Sequence, residues 1–127
     1  MSVVGIHHYS LTAPGEVLEA VVTFYGELLN LTPGERPDFG IPGYWLYAGD
    51  DPILHLIQDD NRQAAEGGYF DHIALRCEDI DGVVGKLESA GIDFFRADIA
   101  QTGQAQLFLR DPAGTQVELN FQIGSPA

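Results

Sequence analysis

The sequence predicts an α+β domain made of two copies of one module, each a strand, a helix and then two or three further strands. Three observations predict it. A strand-like run rich in branched and aromatic residues leads into a helical apolar period; the same succession returns in the second half; and polar residues recur at matching places, 63 or 64 positions apart. A chain of 127 residues, 45% hydrophobic and 20% charged, is long enough to close one core without staples.

Residues 3–13 (VVGIHHYSLTA) run into Pro14-Gly15 as a strand enters a turn. From Glu16 onward Val17, Leu18, Val21, Phe24, Tyr25, Leu28 and Leu29 recur at steps of three and four, which predicts an amphipathic helix capped by a left-handed Asn30. Residues 31–43 hold three prolines and three glycines and read as a loop with a short edge strand. GYWLYAG and PILHLI follow as strands, with a turn at Asp50-Asp51. A polar stretch from Asp59 to Gly68 ends the first half. In the second, YFDHIALRC (69–77) is a strand, Ile80, Val83, Val84 and Leu87 mark a helix closed by Gly91, and IDFFRA, AQLFLR and TQVELNF are strands. The expected organisation is a single domain, 1–127, with modules over about 3–60 and 68–123.

Nineteen acidic residues against six basic ones give a formal charge of -13, a field that repels phosphate backbones and anionic lipid, so neither nucleic acid nor a membrane is an expected partner. With no apolar run approaching the roughly 18 residues of a membrane helix and no basic-then-apolar leader, the expected location is the cytoplasm. The one cysteine, Cys77, cannot close an intrachain disulfide, and a bound metal must use histidine and carboxylate.

The repeat supplies such a set. His8-Tyr9-Ser10-Leu11 aligns with His72-Ile73-Ala74-Leu75 at an offset of 64, and Leu54-His55-Leu56 with Val117-Glu118-Leu119 at 63. Each module thus carries one polar residue on its first strand and one on its last. Strand alternation puts His8 with Ser10 and Thr12, His72 with Ala74 and Arg76, and Glu118 with Gln116 and Asn120, while Val117, Leu119 and Phe121 face the helices. His55 sits between Ile53 and Ile57, where an imidazole needs a partner. His7 is expected on the opposite face, in a structural role. Three neutral imidazoles and one carboxylate in a shared cleft form a ligand set for one divalent ion per site, zinc, nickel, iron, manganese or cobalt.

The segments GIHHYSLTA, Phe24-Tyr25 with LLNL after it, FDHIALRCEDID and RDPAGTQVELNF resemble the vicinal oxygen chelate superfamily, across nearly the whole chain. That superfamily includes glyoxalase I, methylmalonyl-CoA epimerase, extradiol dioxygenases and the bleomycin and fosfomycin resistance proteins. The resemblance implies paired βαβββ modules forming a curved mixed sheet around a metal cleft, a homodimer, and a small-molecule substrate with neighbouring oxygens. Its metal ligands fall on His8, His55, His72 and Glu118, the four residues that the repeat brings forward.

Glyoxalase I and the epimerase have a glutamate or glutamine where this chain has His55, which leaves Glu118 as the candidate catalytic base and His55 as the second catalytic candidate. Four ligands leave two open positions on an octahedral ion, which suits lyase or isomerase proton transfer of the glyoxalase type. An Fe(II)-dependent extradiol-type dioxygenase is the alternative; it would hold iron with two histidines and one carboxylate and leave His55 as an acid-base residue. A metal-free drug-binding protein of the bleomycin-resistance type and a regulatory domain with an inert metal are further alternatives. Arg76, Arg96 and Arg110 lie on predicted strands and are candidates to hold a substrate carboxylate, with Trp45, Tyr47, Phe94 and Phe108 as candidate walls of the cleft.

Overall fold

The two sequence periods resolve into two helices and two four-stranded mixed sheets in the computed structural model, which describes residues 5–64 and 72–126. Residues 3–4 of the first expected strand, 69–71 of the fifth and 65–68 of the polar stretch lie outside the described residues. The chain divides into two compact units, residues 1–65 and 66–127.

The first unit runs β1 (Tyr9–Ala13), α1 (Gly15–Leu29), β2 (Thr32–Gly34), β3 (Gly43–Ala48) and β4 (Asp51–Gln58). Its sheet has the order β1-β4-β3-β2, with β1 parallel to β4 and the other pairs antiparallel. Leu18, Val21, Tyr25 and Leu28 of α1 are buried, as are Leu46, Leu54 and Leu56 on the strands. Alternation and the helical period therefore meet in one apolar layer. Pro14 brings no side-chain cap to α1; instead the Gly15 N–H donates to Asp60 Oδ1 at 2.9 Å, and this bond holds the Asp60 carboxyl below its ordinary range. At the other end Asn30 takes the left-handed conformation (φ 60°), and the Leu31 N–H donates to the Tyr25 carbonyl at 3.0 Å. The β3–β4 turn falls on Gly49-Asp50 rather than Asp50-Asp51: Gly49 adopts φ 61° without a Cβ penalty, which frees Asp51 to pair with Ala48.

The second unit repeats the plan as β5 (Ile73–Cys77), α2 (Ile80–Ser89), β6 (Phe95–Ile99), β7 (Gln104–Arg110) and β8 (Gln116–Gln122), in the order β5-β8-β7-β6 with β5 parallel to β8. Leu87, Leu107, Val117, Leu119 and Phe121 form its core. Asp79 caps α2, accepting from the Gly82 N–H at 3.1 Å, and a Cβ at position 82 would run into that carboxylate. The strand expected over IDFFRA begins only at Phe95, because the chain leaves α2 through Gly91 (φ 68°) and needs residues 92–94 to reach the sheet. Among the described residues no helix is long and apolar enough to cross a membrane.

Candidate functional site

Register decides which side chains share a face. In the first unit Ser10 pairs with His55 and His55 with Trp45; in the second, Ala74 pairs with Glu118 and Glu118 with Phe108. His8 and His72 each stand immediately ahead of the parallel strand, two residues before Ser10 and Ala74. Each unit therefore sets an imidazole, a second ligand-type side chain and an aromatic ring at equivalent positions. Trp45 and Phe108 are 63 positions apart, as are His55 and Glu118.

In the first unit the His8 and His55 rings stack with centroids 3.7 Å apart and planes 13° from parallel, and Trp45 stacks on His55 at 4.1 Å and 10°. His55 is 9% exposed, and its Nε2 lies 3.0 Å from the Pro52 carbonyl oxygen. A carbonyl only accepts, so Nε2 carries the proton and Nδ1 keeps its lone pair. Burial foremost, then His8, with smaller contributions from His7 and Arg36, lowers the pKa of His55 below the ordinary imidazole value, against the opposing pull of the Pro52 bond. His7 and His8, expected on opposite faces, meet with their Nδ1 atoms 2.8 Å apart. The reason is that β1 starts at Tyr9, so the alternation that separates neighbours does not reach back to them.

In the second unit Glu118 is 6% exposed; its Oε1 is 3.2 Å from His72 Nε2, and its Oε2 accepts from the Asn120 amide at 3.0 Å. Phe108 meets the His72 ring edge to face at 5.9 Å.

Imidazole and carboxylate are donor types for divalent ions of the zinc-to-manganese range, and His55 is fixed through its far nitrogen by a carbonyl, as metal-binding imidazoles commonly are. For His8 and His55 to serve one ion, one of them turns out of the stack, since face-to-face rings hold their in-plane lone pairs side by side. Among the described residues no three or more His, Cys, Asp or Glu side chains gather into a metal cluster; His8 with His55 and His72 with Glu118 stand as pairs.

The arginines named from sequence are dispersed. Arg76 pairs with Asn120, on the Glu118 face and exposed. Arg110 ends β7 and donates from Nη1 to the Gly114 carbonyl at 2.8 Å. Arg96 pairs with Leu107, on the face away from Phe95 and Phe108, and is bound to Asp98 through bonds of 2.8 and 3.2 Å. Tyr47 donates its hydroxyl to the Glu35 carbonyl at 2.6 Å, and Phe94 lines an open groove with Phe95 and Phe108. A residue that the sequence reading passed over, Arg36, comes closer to the histidines. A pocket of about 350 Å³ is lined by His8, His55 and Trp45 from the first unit's sheet and strand entrance, and by Arg36, Phe39 and Ile41 from the loop between β2 and β3. That loop has no period from which to read a direction; a basic residue amid prolines and glycines was its only signal.

From residue 5 to residue 119 the chain matches the family model of the Glyoxalase/Bleomycin resistance protein/Dioxygenase superfamily. Glyoxylase I 4 of Arabidopsis thaliana is 32% identical over 106 residues, 77% of this chain, and the chain spans 60% of that relative's length. A glyoxalase family protein from Bacillus anthracis has a TM-score of 0.75 at 24% identity, covering 95% of this chain and 97% of its own. The fosfomycin resistance protein FosX of Listeria monocytogenes has a TM-score of 0.68 at 15% identity, covering 94% and 93%, a likeness of fold alone. With the doubled module, the paired histidine and glutamate positions and a family match over almost the full sequence, the chain belongs to the Glyoxalase/Bleomycin resistance protein/Dioxygenase superfamily.

Proposed function

We propose that this chain is a divalent-metal-dependent enzyme of lyase or isomerase type, which moves a proton on a small substrate bearing two neighbouring oxygens. The observation that carries the reading is the duplication of ligand-type side chains at equivalent places, one just ahead of the parallel strand and one on the last strand of each unit, His8 with His55 and His72 with Glu118. Those four residues would hold the ion, zinc, nickel, iron, manganese or cobalt. When bound, it supplies Lewis-acid polarisation of a substrate oxygen, which acidifies the neighbouring carbon-hydrogen bond.

Glu118 is the base in this reading. Its Oε2 is held by the Asn120 amide, which leaves Oε1, the oxygen beside His72, to take and return the proton. Trp45 holds the ring plane of His55 by stacking and walls the pocket against water. The 32% identity to Glyoxylase I 4 supports an enzyme rather than a sequestering protein. The reading also includes a homodimer, for which light scattering should give twice the 13.8 kDa chain mass.

The test measures metal content beside activity. Protein purified without chelator is expected to carry about one divalent ion per chain. His55→Ala should lose both metal and activity on an α-ketoaldehyde hemithioacetal, whereas His55→Glu should keep the metal. Full iron occupancy in His55→Ala, with oxygen consumption by the parent protein on catechol, would overturn the reading in favour of a dioxygenase. No metal in the parent and no thermal shift with added zinc, nickel, iron or manganese would overturn it in favour of a drug-binding protein.

A further inference from the structure

We infer that Arg36 anchors a separate oxyanion on the substrate, a carboxylate or a phosphate, so that the ligand class is a small anion that also carries the neighbouring oxygens; this rests on reading the His8–His55 pocket as the substrate site. Arg36 donates from Nη1 to the Ile41 carbonyl at 3.0 Å, a bond that fixes the guanidinium in the pocket wall. The remaining edge, Nε with Nη2, is the fork that takes a planar or tetrahedral oxyanion through two parallel bonds. Nε is buried and has no hydrogen-bond partner. A buried donor left unpaired is unfavourable, and an arriving oxyanion satisfies it.

The setting supports a vacant role for this cation. The chain has 19 acidic residues, yet no carboxylate among the described residues pairs with Arg36. The guanidinium packs against Gly43 of β3, where a Cβ would run into the Leu56 carbonyl and also stand 3.0 Å from Nη2. The Phe39 ring centre lies 5.0 Å from Cζ and steadies the charge from the loop side.

Trp45 is the chain's one tryptophan and lines the same pocket, so its fluorescence reports binding in zinc-loaded and metal-free protein alike. Three probes share the same neighbouring oxygens: 2-hydroxypentanoate without a second anion, 2-hydroxyglutarate with a carboxylate and 3-phosphoglycerate with a phosphate. The expectation is that one of the latter two binds about tenfold more tightly than 2-hydroxypentanoate, the tighter one naming the anion. Arg36→Gln should level the three, and Arg36→Lys should keep part of the preference, each with the circular dichroism and metal content of the parent. Equal affinities in the parent, or a preference that survives Arg36→Gln, would overturn the inference. An Arg36-dependent preference in a protein that takes up no metal sinks the metal reading alone; a metal-loaded protein without the preference sinks this inference alone.

Discussion

His55 occupies a strand position flanked by Leu54 and Leu56, both fully buried, and keeps its polarity there through one backbone carbonyl and two stacked rings. Its neighbours are pure packing. Leu54→Ala should lower the unfolding free energy by about 2–5 kcal/mol, because the sheet cannot collapse around the lost methyl groups. Urea denaturation followed by far-ultraviolet circular dichroism checks this. On the second unit's equivalent face Cys77 gives a different measurement. Burial pushes its thiol up from the ordinary 9.0 to about 11, against a smaller opposing pull from the Asn120 backbone. The folded thiol should therefore react slowly with a disulfide reagent at pH 8 and at an ordinary rate in urea. Since the unfolded thiol ionises first, this contribution to stability is whole below 9.0 and is lost as pH rises through about 11. At this scale the sequence brought forward His8 with His55 and His72 with Glu118, side chains that lie together in pairs in the structure. It did not place His7 beside His8, and it passed over Arg36, because neither the segment before β1 nor the β2–β3 loop follows a period.

The elements were legible where local physics repeats. A helix from Glu16, with apolar steps of three and four up to Leu29 and a left-handed Asn30, describes α1 to within a residue. The same logic served α2, but its start is decided by a cap rather than by its period: Asp79 turns through φ 62° to place its carboxylate on the Gly82 N–H. Asp79→Ala should cost about 1 kcal/mol of stability. Gly82→Ala should cost no less despite its better helix propensity, since the new Cβ displaces the capping carboxylate. In Asp79→Ala/Gly82→Ala the two losses should not add, and a double-mutant cycle in urea measures the coupling. Strand limits were less legible. The strand expected over IDFFRA starts later, at Phe95, and runs on to Ile99, and the turn expected at Asp50-Asp51 sits one residue earlier, both because a glycine at positive φ takes the bend.

Across the whole molecule the proposed activity should depend on pH through the ligands. Protonated imidazole cannot bind a metal, so zinc affinity should fall as pH drops through the histidine range, and a competition titration with a chromogenic chelator would follow it. Replacing His8, His72 or Glu118 by alanine should lower that affinity in each case; unchanged affinity in any one removes that residue from the set. What the sequence alone determined was the doubled module and the two matched polar pairs, because alternation, helical period and a repeat at a fixed offset are properties of neighbouring residues. Tertiary structure decided the rest. That β4 rather than β3 lies beside β1 sets His55 opposite Ser10 and against the His8 ring, and the β2–β3 loop then brings Arg36 into the wall of the same pocket. Strand order and register are choices among long-range hydrogen-bond partners, made by the burial of a whole face at once, and a local pattern does not contain them.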